Sequence, residues 1–237
     1  MNLLALETAT ESCSAALLVD GRLYVRSEIA PRRHAELLLP MCDQLLAEAG
    51  VARRDLDAIA VGAGPGAFTG VRLAISAAQG IALALGIPVI PVSSLAALAM
   101  QAPINGSPIL AVIDARMGEI YAGRFRRADD GRVEAIGPES VGPAESLVLQ
   151  RDVAWNVVGT GWATYSDVLR SRLAMEPCWA EGDHYPQAAD VARLAMPIAR
   201  AGRGVAPEAA LPVYLRDKVA LTLVEQEAQR ARSRADR

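Results

Sequence analysis

The chain has 237 residues, of which 52% are hydrophobic, so it can bury a sizeable core in one compact unit or in two small lobes. Its net charge is −3 and it has no block of basic residues, which makes it a poor nucleic-acid binder on its own, because phosphate neutralisation drives such binding. Its three cysteines, Cys13, Cys42 and Cys178, are widely spaced and odd in number, which argues against a disulfide framework and for a reducing environment.

The pattern of apolar residues predicts strands and two long helices in the first part of the chain. Strands are predicted over 3–6, 13–20, 22–28, 57–61 and 87–90, with Asp20 and Gly21 in a hairpin turn. One helix is predicted over 32–49, stopped by Gly50, and another runs to Leu85, with Thr69 as its N-cap and Gly86 beyond its end. A shorter helix capped by Ser93 or Ser94 is predicted to end near Met100.

The second part repeats this order of elements without any visible repeat in sequence. Strands are predicted over 108–113, 119–126, 132–136 and 155–158, and helices over 143–149, 161–173 and 188–201, where Pro197 should kink or shorten the last one. Two hairpins, each followed by helix and strand, suggest an α/β protein of two ribonuclease-H-like lobes, as in the actin, sugar kinase and Hsp70 group. We place the N-terminal lobe at 1–102, the C-terminal lobe at 103–222, packing back on the first near 205–222, and a polar tail at 223–237.

A glycine-rich loop joins the strand at 57–61 to the second long helix. The residues of this loop that we single out are Gly62, Gly64, Pro65, Gly66, Phe68, Thr69 and Gly70. Their spacing matches neither a P-loop nor a dinucleotide-binding fingerprint. The loop could hold an anion on free N–H groups at the start of the helix, or it could be a tightly packed turn. The glycines alone do not separate these two interpretations.

The run from Gly64 to Arg72 resembles the signature of the TsaB family, also called YeaZ. Segments 3–14, 34–40, 114–121 and 212–216 fit the same family in the same order, whereas 131–206 carries little family signal. The resemblance covers nearly the whole chain. It implies the two-lobed fold above and a role as accessory subunit of the machinery that makes N6-threonylcarbamoyladenosine (t6A) in tRNA.

The resemblance also implies a set of partners and no cofactor. We expect a non-catalytic scaffold that binds the catalytic paralogue TsaD, joins the ATPase TsaE in a larger complex, reaches tRNA only through that complex, and forms a homodimer without TsaD. In the family the first two long helices meet the partner. The residues we assign to that surface are His34, Leu37, Leu38, Met41, Leu45, Val71, Arg72, Ile75, Ala78, Gln79 and Ala82. The same helices could instead be ordinary core helices, and Arg72 could pair with Glu36 across the interface or extend to solvent.

An enzyme of the same fold is the main alternative. ATP-binding relatives use Asp-x-Gly-x-(Ser/Thr) in the first hairpin, but this chain has Glu7 at that place, lacks the glycine, and adds Glu11. We expect both carboxylates to be exposed and solvated. Residues 62–70 could still be the phosphate loop of a divergent ATPase or small-molecule kinase.

A metal site, a nucleophile and a membrane segment are all disfavoured. TsaD carries His-x-x-x-His on a helix, but Leu38 stands where the second ligand would follow His34, and His184 is distant in sequence. We expect no basic leader region at the N-terminus and no apolar run of the roughly 18 to 20 residues that a membrane span requires. We therefore expect a cytoplasmic protein, with residues 214–216 anchored on the first lobe.

Overall fold

The computed structural model describes residues 1–150 and 152–216. The first sheet contains β1 (Asn2–Glu7), β2 (Ser12–Val19), β3 (Arg22–Ile29), β4 (Ala58–Gly62) and β5 (Val89–Val92). Its order is β3-β2-β1-β4-β5, with an antiparallel meander from β1 to β3 and parallel pairing of β1 with β4 and of β4 with β5. All five predicted strands are confirmed, with β5 shifted by two residues.

The second sheet repeats this topology. It contains β6 (Ile109–Arg116), β7 (Glu119–Arg127), β8 (Val133–Ala135), β10 (Asn156–Val158) and β11 (Trp179–Glu181), while β9 (Ser140–Pro143) pairs with β7. Its order, β8-β7-β6-β10-β11, has the strand directions of the first sheet. The fold is therefore the predicted α/β arrangement of two ribonuclease-H-like lobes.

Within residues 1–150 and 152–216, five α-helices cover the two sheets: α1 (His34–Ala49), α2 (Phe68–Leu85), α3 (Ser94–Ala99), α4 (Thr160–Arg172) and α5 (Ala188–Arg200). Alternate residues of β1 enter different cores, because both faces of the first sheet are covered: Leu4 and Leu6 pack with α1 and α2, whereas Leu3 and Ala5 pack with α3 and α5. The core around α3 and α5 also contains Ile109 of the second sheet. These two helices therefore join the lobes through apolar contacts.

Several local predictions are wrong. Thr69 is not the N-cap of α2; the helix begins at Phe68 after Ala67, whose N–H is held by the Ala9 carbonyl oxygen at 2.7 Å. The predicted helix over 143–149 is replaced by β9 and a single 3₁₀ turn, because the chain from Ser140 pairs with the exposed edge of β7.

Further outcomes concern the elements and boundaries that follow residue 100. The short strand β11 was not predicted, and α5 continues through Pro197 to Arg200, so the proline does not shorten it. The division at residues 102 and 103 stays a prediction. The tail predicted over 223–237 lies outside the described residues.

The expectation that no apolar run is long enough to cross a membrane is wrong for α2. Its 18 residues have a mean hydropathy of 1.5, so by length and composition alone it could cross a membrane. The value is high because alanine, leucine and isoleucine outweigh its few polar residues. In the fold, Val71, Ala74, Ala78 and Ala82 of this helix are buried in the core of the first lobe. A core helix satisfies the same length and composition criteria.

Candidate functional site

The glycine-rich loop is packed against the turn between β1 and β2. A Cβ atom at Gly70 would lie 2.0 Å from the Thr8 carbonyl oxygen, and one at Gly66 would lie 2.4 Å from the Ala9 carbonyl oxygen. The Thr8 hydroxyl donates a hydrogen bond to the Gly70 carbonyl oxygen at 2.7 Å. Of the two interpretations that the sequence left open, the structure supports the tightly packed turn.

Glu7 is fully buried under this loop, so the expectation that it is solvated is wrong. One carboxylate oxygen accepts a hydrogen bond from the Ala9 N–H and the other from the Ser94 hydroxyl, both at 2.7 Å. A Cβ atom at Gly62 would lie only 1.9 Å from the carboxylate, so the glycine makes room for it. Burial raises the pKa of Glu7, although these hydrogen bonds oppose the shift. Glu7 thus links the first hairpin to the start of α3.

A cavity of about 520 Å³ lies between the lobes, beside the packed loop. Its wall includes Thr10 and Glu11 of the first hairpin, the β6–β7 hairpin and residues 213–216. His34 stands at the start of α1, with its Nε2 atom 2.9 Å from the Thr10 carbonyl oxygen. The segments that carry the family resemblance therefore converge on one cleft. Sequence reasoning missed the cleft because segments far apart in sequence assemble it.

An ion pair crosses the mouth of this cleft. Arg116 Nη2 lies 2.5 Å from Glu11 Oε1, and Arg116 Nη1 lies 3.1 Å from Asp114 Oδ2. Glu11 is therefore only partly exposed, at 34% of its side chain, and is paired rather than simply solvated. The lining of the cleft carries charges of both signs, from Glu11 and Asp114 and from Arg32, Arg116 and Arg216.

Most of the predicted partner-surface residues lie inside the chain's own core. Seven of them are buried under α1 and α2: Leu38, Met41, Leu45, Val71, Ile75, Ala78 and Ala82. His34, Leu37 and Gln79 are half-buried, and Arg72 is exposed. The outer faces of the two helices instead expose Leu39, Phe68 and Leu83. The partner surface itself stays a prediction, and these exposed residues are the ones that could meet a partner.

Arg72 is engaged within the chain by two aromatic rings. Its guanidinium carbon lies 3.8 Å from the centroid of the Phe68 ring and 5.5 Å from that of Tyr214, and its Nε donates to the Tyr214 hydroxyl at 2.5 Å. Within the chain, Glu36 lies 3.5 Å from Arg33 instead. The predicted docking of residues 214–216 on the first lobe therefore holds for Tyr214, whereas Arg216 contacts the β6–β7 hairpin.

The two histidines have separate surroundings, since His184 Nδ1 lies 2.8 Å from Gln101 Oε1. Over residues 1–150 and 152–216, no group of three or more His, Cys, Asp and Glu side chains is placed to hold a metal ion. Cys13 and Cys42 are buried, and burial raises the pKa of Cys13 to about 11 and that of Cys42 to about 12. Both thiols therefore remain protonated core groups at neutral pH.

Comparison with known proteins agrees with this arrangement. A family model described as TsaD, tRNA N6-adenosine threonylcarbamoyltransferase, matches residues 25–220. The tRNA threonylcarbamoyladenosine biosynthesis protein TsaB of Escherichia coli strain K12 is 40% identical over 227 residues, which cover 93% of this chain and 96% of that protein. TsaB of Haemophilus influenzae is 41% identical over 184 residues, which cover 73% of this chain and 78% of that protein.

A solved structure shows the same fold. YeaZ from Pseudomonas aeruginosa aligns with a TM-score of 0.83 at 45% identity, covering 90% of this chain and 99% of that one. The matches cover 96% of the Escherichia coli protein and 99% of the Pseudomonas aeruginosa structure. The chain therefore belongs to the TsaB (YeaZ) family.

Proposed function

We propose that this protein acts in t6A synthesis as a non-catalytic subunit that binds and activates the TsaD paralogue. The proposal draws on the relatives that are named as tRNA threonylcarbamoyladenosine biosynthesis proteins. One observation carries the non-catalytic part of this proposal: the fold's own atoms fill the place where related ATPases bind their ligand. Gly66 and Gly70 contact the first hairpin, and both oxygens of Glu7 are hydrogen-bonded within the fold.

In this proposal TsaD supplies the transfer chemistry, which moves threonylcarbamoyl to the adenosine next to the anticodon. TsaE joins the larger complex, and tRNA is reached only through that complex, in line with the net charge of −3. The outer face of α1 and α2 is the surface we assign to TsaD, or to a second copy of this chain when TsaD is absent. The protein works in the cytoplasm without membrane association and without a cofactor of its own.

A divergent ATPase or small-molecule kinase is the second candidate. The cavity of about 520 Å³ between the lobes favours it, because it is large enough for a small ligand. This candidate predicts saturable ATP binding by the isolated chain at micromolar concentration. Titration calorimetry of the isolated chain with ATP and Mg²⁺ separates the two functions, since the non-catalytic proposal predicts no heat of specific binding.

Reconstitution tests the proposal directly. Mixtures contain tRNA, threonine, bicarbonate, ATP, the adenylate-forming enzyme, TsaD and TsaE, with or without this chain, and t6A is quantified by mass spectrometry. We expect product only when both this chain and TsaD are present. Equal product in the presence and absence of this chain would reject the proposal. Product from this chain without TsaD would show that it is itself catalytic.

A further inference from the structure

Residues 210–216, which we call the strap, lie along α2, beginning at the buried residue Ala210. At one end, Gln79 Nε2 donates a hydrogen bond to the Ala210 carbonyl oxygen at 3.1 Å. Further along, the Val213 N–H donates to the Ala63 carbonyl oxygen at 2.8 Å. The Tyr214 ring then stacks on Phe68, with ring centroids 5.8 Å apart. The strap therefore runs antiparallel to α2, from the level of Gln79 to its first turn.

The other end of the strap contacts the second lobe. Arg216 Nη2 donates to the Ala115 carbonyl oxygen at 3.1 Å and also pairs with the Glu119 carboxylate. Both partners belong to the hairpin that joins β6 and β7. Arg216 is only 23% exposed, so this contact is partly shielded from water.

The hairpin that Arg216 contacts is tightly constrained. Arg116, Met117 and Gly118 have φ values of 64°, 58° and 79°, so three successive residues adopt left-handed backbone conformations. Strained conformations of this kind persist only where the surrounding structure holds them in place. Arg216 makes two of the contacts of this hairpin with the rest of the chain.

We infer that the strap mechanically couples the β6–β7 hairpin to the first turn of α2. Tyr214 contacts Phe68 and Arg72, and Arg216, two residues further on, contacts the hairpin. Because so short a segment joins the two contacts, a displacement at one end is transmitted to the other. The coupling is reciprocal, because a free energy shared by two sites acts in both directions. Both ends of the strap line the cavity. A displacement of the strap therefore shifts the cavity wall and the exposed cluster of Phe68, Arg72 and Tyr214 at the same time. This inference concerns the chain alone and does not depend on the proposed function.

Hydrogen exchange of the full chain, followed by mass spectrometry, tests the coupling. Arg216→Ala removes the contact at the hairpin, and Tyr214→Ala removes the contact at α2. We expect each variant to speed exchange at the opposite end as well as at its own, by on the order of fivefold for one lost hydrogen bond. The informative peptides cover residues 66–76 and 112–121.

Leu211→Ala is the matched control, because its side chain lies on the same segment and is 65% exposed. It should leave exchange unchanged at both ends. Peptides from β1 and β10 report whether each variant keeps its core. Tyr214→Phe and Arg216→Lys replace any alanine variant that does not. Faster exchange confined to the mutated end would overturn the inference. The variants are repeated with Glu11→Gln, so that the Glu11–Arg116 pair cannot hide the effect.

Discussion

The backbones of Gly70 and Thr8 are in close contact, so that a Cβ atom added at Gly70 would lie only 2.0 Å from the Thr8 carbonyl oxygen. Gly70→Ala should therefore force the loop and the first hairpin apart and lower the free energy of unfolding by about 3 kcal/mol. Urea denaturation measures this change. The matched control is Gly80→Ala in the same helix.

At Gly80, no described atom lies within 4 Å of the Cβ position, apart from the helix's own nearby backbone and the adjoining residues. Gly80→Ala should raise the free energy of unfolding by about 0.5–1 kcal/mol, because alanine loses less backbone entropy in a helix. If the two substitutions had equal effects, the close approach at Gly70 would be unimportant for stability.

Glu7 should make stability depend on pH. Its folded-state pKa lies above the ordinary value of 4.5, so the unfolded chain releases this proton first as pH rises. The contribution of Glu7 to stability is therefore fully present below pH 4.5 and is lost as pH rises through the folded-state pKa. Glu7→Gln removes this dependence, so its stability relative to the wild type should increase with pH above 4.5.

Urea unfolding between pH 4.5 and pH 8 checks this prediction. Other acids whose pKa is raised, such as Glu139 and Asp190, are present in both proteins, so their contributions cancel in the difference. Glu36→Gln, on the exposed side of α1, serves as the control. A stability difference between wild type and Glu7→Gln that stays constant with pH would contradict the burial of an ionisable group.

The Glu11–Arg116 pair should contribute little to stability despite its position between the lobes. The two side chains are 34% and 70% exposed, and exposed pairs of this kind contribute about 0.2–1 kcal/mol. A double-mutant cycle with Glu11→Ala and Arg116→Ala isolates the pair from the Arg116–Asp114 contact. We expect a small coupling energy that shrinks in 1 M salt, where the screening length falls to about 3 Å. A coupling that did not change with salt would show that the pair is shielded from solvent.

The outer face of α1 and α2 gives a direct test of the proposed TsaD surface. Leu83 is 72% exposed and Leu39 is also exposed, so Leu83→Asp and Leu39→Asp should change the free energy of unfolding by less than about 0.5 kcal/mol. Each should weaken TsaD binding by about tenfold or more, measured by calorimetry, if its side chain is at the centre of the interface. Ile104→Asp, at an equally exposed apolar residue outside these helices, should bind normally. Normal binding by both helix variants would place the TsaD surface elsewhere.

The sequence predicted the architecture better than the environment of single residues. The strand β4 is apolar throughout and β1 is apolar from Leu3 to Leu6. The helices α1 and α2 stop before Gly50 and Gly86 as predicted, and both glycines have left-handed conformations. These features depend on local residue types and spacing, which one sequence displays. The short strand β11 was missed because its pairing with β10 depends on a partner distant in sequence.

Burial was harder to predict for the same reason. Glu7 was expected in solvent because a carboxylate usually is, yet its two donors come from Ala9 and from Ser94, and the latter is 87 residues away. The apolar residues of α2 had two interpretations, core or interface, and periodicity alone cannot distinguish them. The stripe containing Ala78 and Ala82 proved to face the sheet, which leaves residues such as Leu83 outside.

The matching topology of the two sheets has an evolutionary consequence. The turn from β10 into α4 contains Gly159, and a Cβ atom there would lie 2.3 Å from the Val112 carbonyl oxygen of β6. The turn from β4 into α2 makes the same kind of close contact with the end of β1. A half-length ancestor, duplicated and fused, would leave this record in backbone packing after its side chains had diverged. The two copies could then diverge separately. The first lobe would have changed in the outer faces of α1 and α2, and the second in the β6–β7 hairpin that lines the cleft.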